Sequence, residues 1–329
     1  MALTYTIDEI AVSIRTFPGV TRKNTIHKIV DSLPTAGFDK VVAAEGEDAA
    51  ALDVGDQYIL FAADGIMESL VRTNPYYAGY FAVLVNVNDI AAMGGRPLGM
   101  VDVMSLIETN VCKEIIRGMK DGIRKFNVPI VGGHVHPDCN YNAIDISIVG
   151  NVSKDALLRS STAEPGDDIV FVIDIDGFYP PELPYAFVTT LDKDDEIVRD
   201  QMEAVAIVGE RHLAHSCKDM SNPGSIGTLG MMLESSSVGG TVDINAIPTP
   251  RDVDQIKWFQ SYQGCGFCFA CDPADSQDVI DIFSKVGCEG AVVGKVDDTK
   301  QLKITDGKDT AIVFDFHKDI ITGCRPKER

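Results

Sequence analysis

Four aspartates lie at the ends of, or inside, apolar or glycine-rich runs, and they are the clearest candidates for metal binding. Asp48 precedes three alanines, and Asp64 ends an apolar run and is followed by a glycine. Asp89 interrupts an apolar segment, and Asp219 precedes a glycine-rich run. An ionised carboxylate in apolar surroundings is costly unless it is paired or bound to a metal, and Mg²⁺ commonly takes one or two carboxylates with phosphate oxygens and water. For each aspartate taken alone, capping a helix or closing a turn is the alternative role.

The overall charge narrows the classes of ligand. The chain has 329 residues, with 29 Lys and Arg against 49 Asp and Glu, and therefore a formal net charge of −20. An excess of acid of this size repels a phosphate backbone, so we expect no nucleic-acid partner. A chain so poor in cations needs metal ions to neutralise any phosphate group that it binds.

The sequence also bears on location. It contains no run approaching the roughly 18 apolar residues that cross a membrane, so we expect no membrane association. Residues 1–9 lack the basic region and apolar stretch of a signal peptide. The eight cysteines are therefore expected to be the reduced thiols of a cytoplasmic protein.

The elements that must position the aspartates fall into two domains behind an N-terminal arm. We place the arm at 1–40, an N-terminal domain at 41–158 and a C-terminal domain at 159–329. Hydrophobic patterning in the N-terminal domain predicts a buried helix over 77–93, an amphipathic helix over 111–126, and strands over 49–52, 58–63, 98–106, 128–132 and 143–152, the last two side by side. In the C-terminal domain it predicts helices over 197–215 and 276–286, and strands over 169–175, 266–272, 290–296 and 310–316. We expect an α+β architecture in which each domain is a mixed sheet with helices packed on one face.

Seven segments occur in an order that resembles one enzyme family. They are EGEDAAAL (45–52), ILFAADGI (59–66), NPYYAG (74–79), VNVNDIAAMGGRP (85–97), VGGHVH (131–136), EPGDDIVFV (164–172) and KDMSNPGSIG (218–227). This order resembles the aminoimidazole ribonucleotide synthetase superfamily, which includes selenophosphate synthetase, thiamine-monophosphate kinase and a hydrogenase-maturation enzyme. Within it, the pattern is most similar to the archaeal selenophosphate synthetase-related proteins, such as methanogenesis marker protein 2.

The resemblance implies a two-domain aminoimidazole ribonucleotide synthetase-like fold that binds ATP and Mg²⁺. It implies a homodimer in which the N-terminal sheets form a shared barrel, with ATP near that interface. The metal ligands that it implies are Asp48, Asp64, Asp89 and Asp219. The same four residues and Asn86, Gly132 and Gly133 are the implied cofactor-binding residues, the glycines because a residue without Cβ lets the chain approach phosphate closely.

Two residues are candidates for a catalytic role. His134 follows the glycine pair, as in selenophosphate synthetase, and Lys23 is the best arm residue for a phosphate contact, with a solvated surface lysine as the alternative. The arm lacks the Cys-Lys or selenocysteine-Lys segment of those enzymes, since the first cysteine is Cys112. In the C-terminal domain, Asn222-Pro223 replaces an acidic residue or glycine of the family. These departures leave the phosphoryl acceptor unidentified.

Other clusters have simpler interpretations. Cys265, Cys268 and Cys271 form two C-x-x-C steps that could hold iron–sulfur or zinc. On a strand, however, Cys268 points away from the other two, which favours buried small apolar residues. His134 and His136 share a face if extended. His212 and His215 fall at i, i+3 near the C-terminus of the predicted helix, where they could bind a metal or interact favourably with the helix dipole.

Three hypotheses about function follow. The first is an ATP- and Mg²⁺-dependent enzyme that transfers a phosphoryl group to a small-molecule, carbonyl or thio acceptor in biosynthesis or cofactor maturation. The second is a non-catalytic ATP-binding assembly factor for a partner enzyme, for example an enzyme of methanogenesis. The third is a metal–sulfur protein that uses the three clustered cysteines.

Overall fold

The computed structural model describes residues 5–30, 32–33, 38–105, 109–262 and 264–325. The arm begins with a helix that carries a capping box, in which Thr6 and Glu9 satisfy each other's backbone N–H groups. Its apolar stripe packs on the C-terminal domain, not on the N-terminal one. The arm comprises α1 (Ile7–Arg15), α2 (Pro18–Thr21), a 3₁₀ turn (Arg22–Thr25) and α3 (Ile26–Val30).

The N-terminal domain is a six-stranded mixed sheet. Its strands are β1 (Val41–Ala43), β2 (Ala50–Asp53), β3 (Gln57–Gly65), β4 (Arg96–Ser105), β5 (Ile130–His136) and β6 (Ala143–Ser153). They lie in the order β1-β2-β3-β6-β4-β5, and only β4 and β5 are parallel. The expectation that β5 and β6 are neighbours is wrong: β6 lies between β3 and β4. A short link cannot join parallel neighbours, so β4 reaches β5 through a helix. Leu106, the last residue of a predicted strand, lies outside the described residues.

One face of this sheet is covered by helices and the other is open. Along β6, Ile144, Ile146 and Ile148 are buried while Asp145 and Ser147 are exposed, the alternation that the sequence predicts for a half-buried strand. The covering helices are α4 (Glu68–Thr73), α5 (Pro75–Ala92) and α6 (Thr109–Phe126). α5 is apolar on all sides because the sheet lies on one side of it and α6 on another.

Two glycines allow α5 and α6 to pack at very short range. A Cβ added to Gly79 would lie 2.0 Å from the carbonyl oxygen of Ile115, and one added to Gly118 would lie 2.0 Å from that of Tyr76. The backbones of the two helices are therefore in direct contact at this crossing, which fixes the position of α5 and of the aspartate that it carries.

The C-terminal domain is a seven-stranded mixed sheet in the order β13-β12-β9-β11-β7-β10-β8. Only β9 and β12 are parallel. Its strands are β7 (Asp168–Ile173), β8 (Ser216–Asp219), β9 (Gly239–Asp243), β10 (Gly266–Cys271), β11 (Glu289–Asp297), β12 (Gln301–Thr305) and β13 (Thr310–Asp315). Its helices are α7 (Asp195–Glu210), α8 (Gly224–Ser236), α9 (Gln255–Phe259) and α10 (Ser276–Ser284). The predicted α+β fold of two mixed-sheet domains is confirmed.

In one respect the C-terminal domain differs from expectation: helices lie on both faces of its sheet. α7 and α10 belong to one core and α8 to the other. The reason is that β10, and β7 after its first residue Asp168, are apolar and buried along their length, so both of their faces need a cover.

The clustered cysteines are part of these two cores. Cys265 and Cys271 lie in the same core as Phe267, and Cys268 lies in the opposite core. All three cysteines are at most 1% exposed. Their burial in the two apolar cores is what the interpretation as small apolar residues predicts.

The predicted pair of histidines on a helix does not form. α7 ends at Glu210, and His212 has a φ of +54°, which is outside the helical range. His215 lies beyond it, and its Nδ1 is 2.9 Å from a carboxylate oxygen of Asp167. Within the described ranges, no helix is both long and apolar enough to cross a membrane.

The α5–α6 crossing leads to a stability prediction. Gly79→Ala should lower the free energy of unfolding by about 1–3 kcal/mol, because its methyl group meets backbone that cannot move aside. Urea denaturation of the purified protein measures this change. Gly99→Ala is the control, since a Cβ there comes no closer than 3.8 Å to another atom. Equal stability of the two variants would contradict the proposed close contact.

Candidate functional site

A cavity of about 590 Å³ lies where the two domains and the N-terminal arm meet. Four separate elements bring an acidic side chain to it: the loop before β2, the end of β3, the last turn of α5 and the end of β8. The side chains that they bring are Asp48, Asp64, Asp89 and Asp219. The structure therefore gathers in one cavity all four aspartates that the sequence singled out.

Three of the four carboxylates form a tight group. One oxygen each of Asp48, Asp89 and Asp219 can be chosen so that all three lie within 4.8 Å of one another. Asp89 stands in the last turn of α5, where the helix dipole disfavours an acidic side chain. Its position does not stabilise the helix, so it is explained better by the cavity than by the helix.

A lysine that the sequence analysis did not single out lies in the same group. Lys218, in the short buried strand β8, forms an ion pair with Oδ1 of Asp48, and both side chains are at most 7% exposed. The other oxygen of Asp48, Oδ2, is buried and has no hydrogen-bond partner. Lys218 stands directly before Asp219 in the sequence, and a lysine inside a buried strand was the available signal.

The crowding of negative charge changes the proton affinity of the group. Burial, with Asp48 nearby, raises the pKa of Asp219 from its ordinary value of 3.8 to about 8, although Lys218 opposes the rise. Burial and the neighbouring Asp64 and Asp219 also raise the pKa of Asp89. Together with the unpartnered oxygen of Asp48, this arrangement fits the carboxylate ligands that Mg²⁺ takes.

The loop that carries Asp48 is held by the residue before it. The carboxylate of Glu47 accepts hydrogen bonds from the backbone N–H of Ser160 at 2.5 Å, from its hydroxyl at 2.8 Å and from the hydroxyl of Ser161 at 2.6 Å. These serines begin the segment that leads from the N-terminal to the C-terminal domain. Glu47 therefore has a structural role, and Asp48 is presented to the cavity by a fixed loop.

A second buried glutamate holds the C-terminal segment against the cavity. Glu234 of α8 is fully buried and accepts the backbone N–H groups of Ile321, Thr322 and Gly323 at 2.8–3.2 Å. Thr322 and the nearby Cys324 line the cavity as a result.

The arm places cations at the cavity. α2 lies so close to the Asn222-Pro223 loop that a Cβ on Gly19 would be 2.0 Å from the carbonyl oxygen of Asn222. The following turn brings Arg22 and Lys23 into the cavity lining. Burial raises the pKa of Asp64, and the positive charge of Lys23 opposes that rise.

Other predicted residues lie elsewhere. Asn86 is fully buried outside the cavity lining and donates a hydrogen bond to the carbonyl oxygen of Ala82, whereas Asn88 lines the cavity. Three further residues lie on β5 at the far edge of the N-terminal sheet and are not part of this cavity: Gly132, Gly133 and His134. The placement of these four residues does not support their predicted role within this cavity.

The raised pKa of Asp219 leads to a prediction about stability. Between about pH 4 and pH 8 the folded protein keeps a proton on Asp219 that the unfolded chain releases, so this group lowers stability as the pH rises through that range. Asp219→Asn should remove this contribution and be more stable than wild type near pH 8 in EDTA. Urea denaturation at about pH 5 and about pH 8 tests it.

The control for that experiment is Asp200→Asn, because Asp200 is exposed on α7, away from the cavity. It should follow the wild-type pH dependence. A variant at Asp219 that also followed the wild-type curve would show that Asp219 is ionised in the folded protein over the whole range.

Comparison with known proteins agrees with the fold. Residues 46–152 match the N-terminal domain of AIR synthase related protein, and residues 186–307 match its C-terminal domain. An uncharacterized protein of Methanocaldococcus jannaschii is 43% identical over 322 residues, which are 97% of this chain and 99% of that protein. Selenide, water dikinase of Aeromonas salmonicida is 24% identical in an alignment of 261 positions that covers 72% of this chain and 71% of that enzyme.

Among solved structures, Thermotoga maritima PurL complexed with ATP superposes with a TM-score of 0.77 at 19% identity. The match covers 97% of this chain but 52% of PurL, so the chain spans about half the length of that protein. The likeness supports the fold, and the family models and the Methanocaldococcus relative together cover nearly the whole sequence. The chain belongs to the AIR synthase related protein family, as its motif order predicted.

Proposed function

We propose that the cavity binds ATP with Mg²⁺ and that the protein transfers the γ-phosphoryl group to a small acceptor. The observation that carries this proposal is the group of Asp48, Asp89 and Asp219, in which a buried oxygen of Asp48 has no partner. Further support comes from PurL, which has the same fold and was solved with ATP, and from the similarity to a selenide, water dikinase.

The residues of the cavity would have distinct roles in this reaction. Asp48, Asp89 and Asp219 would hold Mg²⁺, which neutralises phosphate charge that this acidic chain repels. Lys23 and Arg22 line the cavity on the side of the arm and would contact phosphate oxygens. The arm and the C-terminal segment both contribute to the cavity lining and would limit the access of water to a transferring phosphoryl group.

Nucleotide binding tests this proposal directly. Wild-type protein should bind ATP in the presence of Mg²⁺, and Asp89→Asn should weaken that binding by about tenfold or more because a metal ligand is lost. Isothermal titration calorimetry at millimolar ATP measures both. Asp200→Asn is the matched control and should bind like wild type.

Absence of binding to the wild-type protein, with Asp89→Asn indistinguishable from it, would overturn the proposal. Turnover separates the enzyme from the assembly-factor hypothesis, which has the same nucleotide site. Release of ADP or AMP from ATP by the protein without a partner supports an enzyme, whereas binding without release supports an assembly factor.

We also propose that the protein is a homodimer through the open face of its N-terminal sheet. That face carries a group of exposed apolar side chains on four neighbouring strands: Phe61, Leu98, Val101, Val103, Val131 and Val149. A contiguous apolar surface of this kind on a sheet marks an interaction site. The resemblance to the aminoimidazole ribonucleotide synthetase superfamily implies that the partner is a second copy of this chain.

A charge placed on this face should separate the two copies. Val101 is 44% exposed in the middle of the group, and Val101→Lys should produce a monomer because the interface would bury an unpaired charge. Analytical ultracentrifugation measures the mass. Ile197→Lys is the control, since Ile197 is similarly exposed on α7. A monomeric wild type, or a dimer that Val101→Lys leaves intact, would contradict this arrangement.

A further inference from the structure

Lys218 lies in the cavity, but the proposed function gives it no role. A lysine side chain that is 7% exposed costs free energy unless its charge is compensated, and it is rarely found inside a short buried strand. Its compensation comes from Asp48, the residue that also carries the unpartnered oxygen. A divalent cation and this ammonium group would therefore share one carboxylate.

The two oxygens of Asp48 have different surroundings. Oδ1 accepts a hydrogen bond from the ammonium group of Lys218, and Oδ2 has no hydrogen-bond partner among the described residues. If Lys218 were neutral, both oxygens would be available for metal. The lysine thus removes one metal-binding oxygen from the cavity.

The fourth carboxylate is separate from the tight group. Asp64 lines the same cavity but is not among the three aspartates whose oxygens can lie within 4.8 Å of one another. The cation with the largest effect on Asp64 is Lys23. Each side of the cavity therefore has its own lysine: Lys218 beside the group of three, and Lys23 beside Asp64.

We propose that Lys218 takes the place of a second divalent cation, so that the chain binds a single divalent cation before nucleotide arrives. This inference rests on the proposed function, in which Asp48, Asp89 and Asp219 hold the metal. Oδ2 of Asp48 and the other two carboxylates form the one site. A second cation would need Oδ1 of Asp48, and the ammonium group of Lys218 already occupies that oxygen.

Counting Mn²⁺ ions in the absence of nucleotide tests this proposal. Mn²⁺ stands in for Mg²⁺ and its free fraction is measured by electron paramagnetic resonance. Wild-type protein should bind one Mn²⁺ per chain, and Lys218→Met should bind two because the second oxygen of Asp48 becomes free. Lys218→Arg keeps the charge and should bind one.

Lys193→Met is the matched control. Lys193 is a partly buried lysine that pairs with the fully buried Asp174 in the C-terminal domain, outside this cavity, so its loss costs a comparable ion pair. It should leave the count at one. The melting temperature of each variant shows whether it is folded.

The outcomes are distinct. Two Mn²⁺ ions bound to wild type, or one bound to folded Lys218→Met, would overturn the inference. If Lys218→Met does not fold, a count of two for wild type or for Lys218→Arg still overturns the inference. ATP binding, measured separately, tells a failure of this inference from a failure of the proposed function: wild type that binds ATP with two Mn²⁺ refutes only the role of Lys218.

Discussion

Repulsion among the carboxylates of the central cavity is the constraint on which the rest of the structure depends. Two unit charges about 4 Å apart repel by about 4 kcal/mol when the effective dielectric constant is about 20. The group of Asp48, Asp89 and Asp219 brings three acidic side chains to such distances. A chain held together only by local contacts would move them apart, so each must be fixed by packing that is remote from the cavity. The α5–α6 crossing does this for Asp89, and the anchored loop does it for Asp48.

The buried acids around the cavity fall into two groups, those whose oxygens are hydrogen-bonded by the protein and those that keep an oxygen free for a ligand. Glu47 and Glu234 are buried, but each accepts at least three hydrogen bonds, so their charges are compensated by the protein. Asp48 is equally enclosed and keeps an oxygen without a partner. The same chemical group thus has a structural role where its bonds are complete and a binding role where they are not.

The sequence predicted the part of this arrangement that depends on local pattern. α5 was predicted from its length and uniform apolar character, and the four aspartates from the motifs around them. α8 was missed because Gly224–Ser236 is rich in glycine and serine, and its helix forms through burial on nearly all sides, not through intrinsic propensity. Contacts between residues distant in sequence could not be predicted from local pattern either. Lys218 and Asp48 are 170 positions apart, and Glu234 and Ile321 are 87 positions apart. The edge position of β5, and so of His134, follows from sheet order, which pattern alone did not give.

The cavity belongs to neither domain alone. Asp48, Asp64 and Asp89 come from the N-terminal domain, whereas Lys218 and Asp219 come from β8 of the C-terminal domain. The ion pair between Lys218 and Asp48 therefore joins the two domains beside the crowded carboxylates. A cation bound between Asp48 and Asp219 would join them at the same place, and any ligand that binds only the assembled form stabilises that form. Bringing these acids together thus opposes domain assembly, through repulsion or through the proton that Asp219 must keep, and a bound cation would favour assembly. The group that destabilises the fold is therefore the group that couples the fold to its ligand.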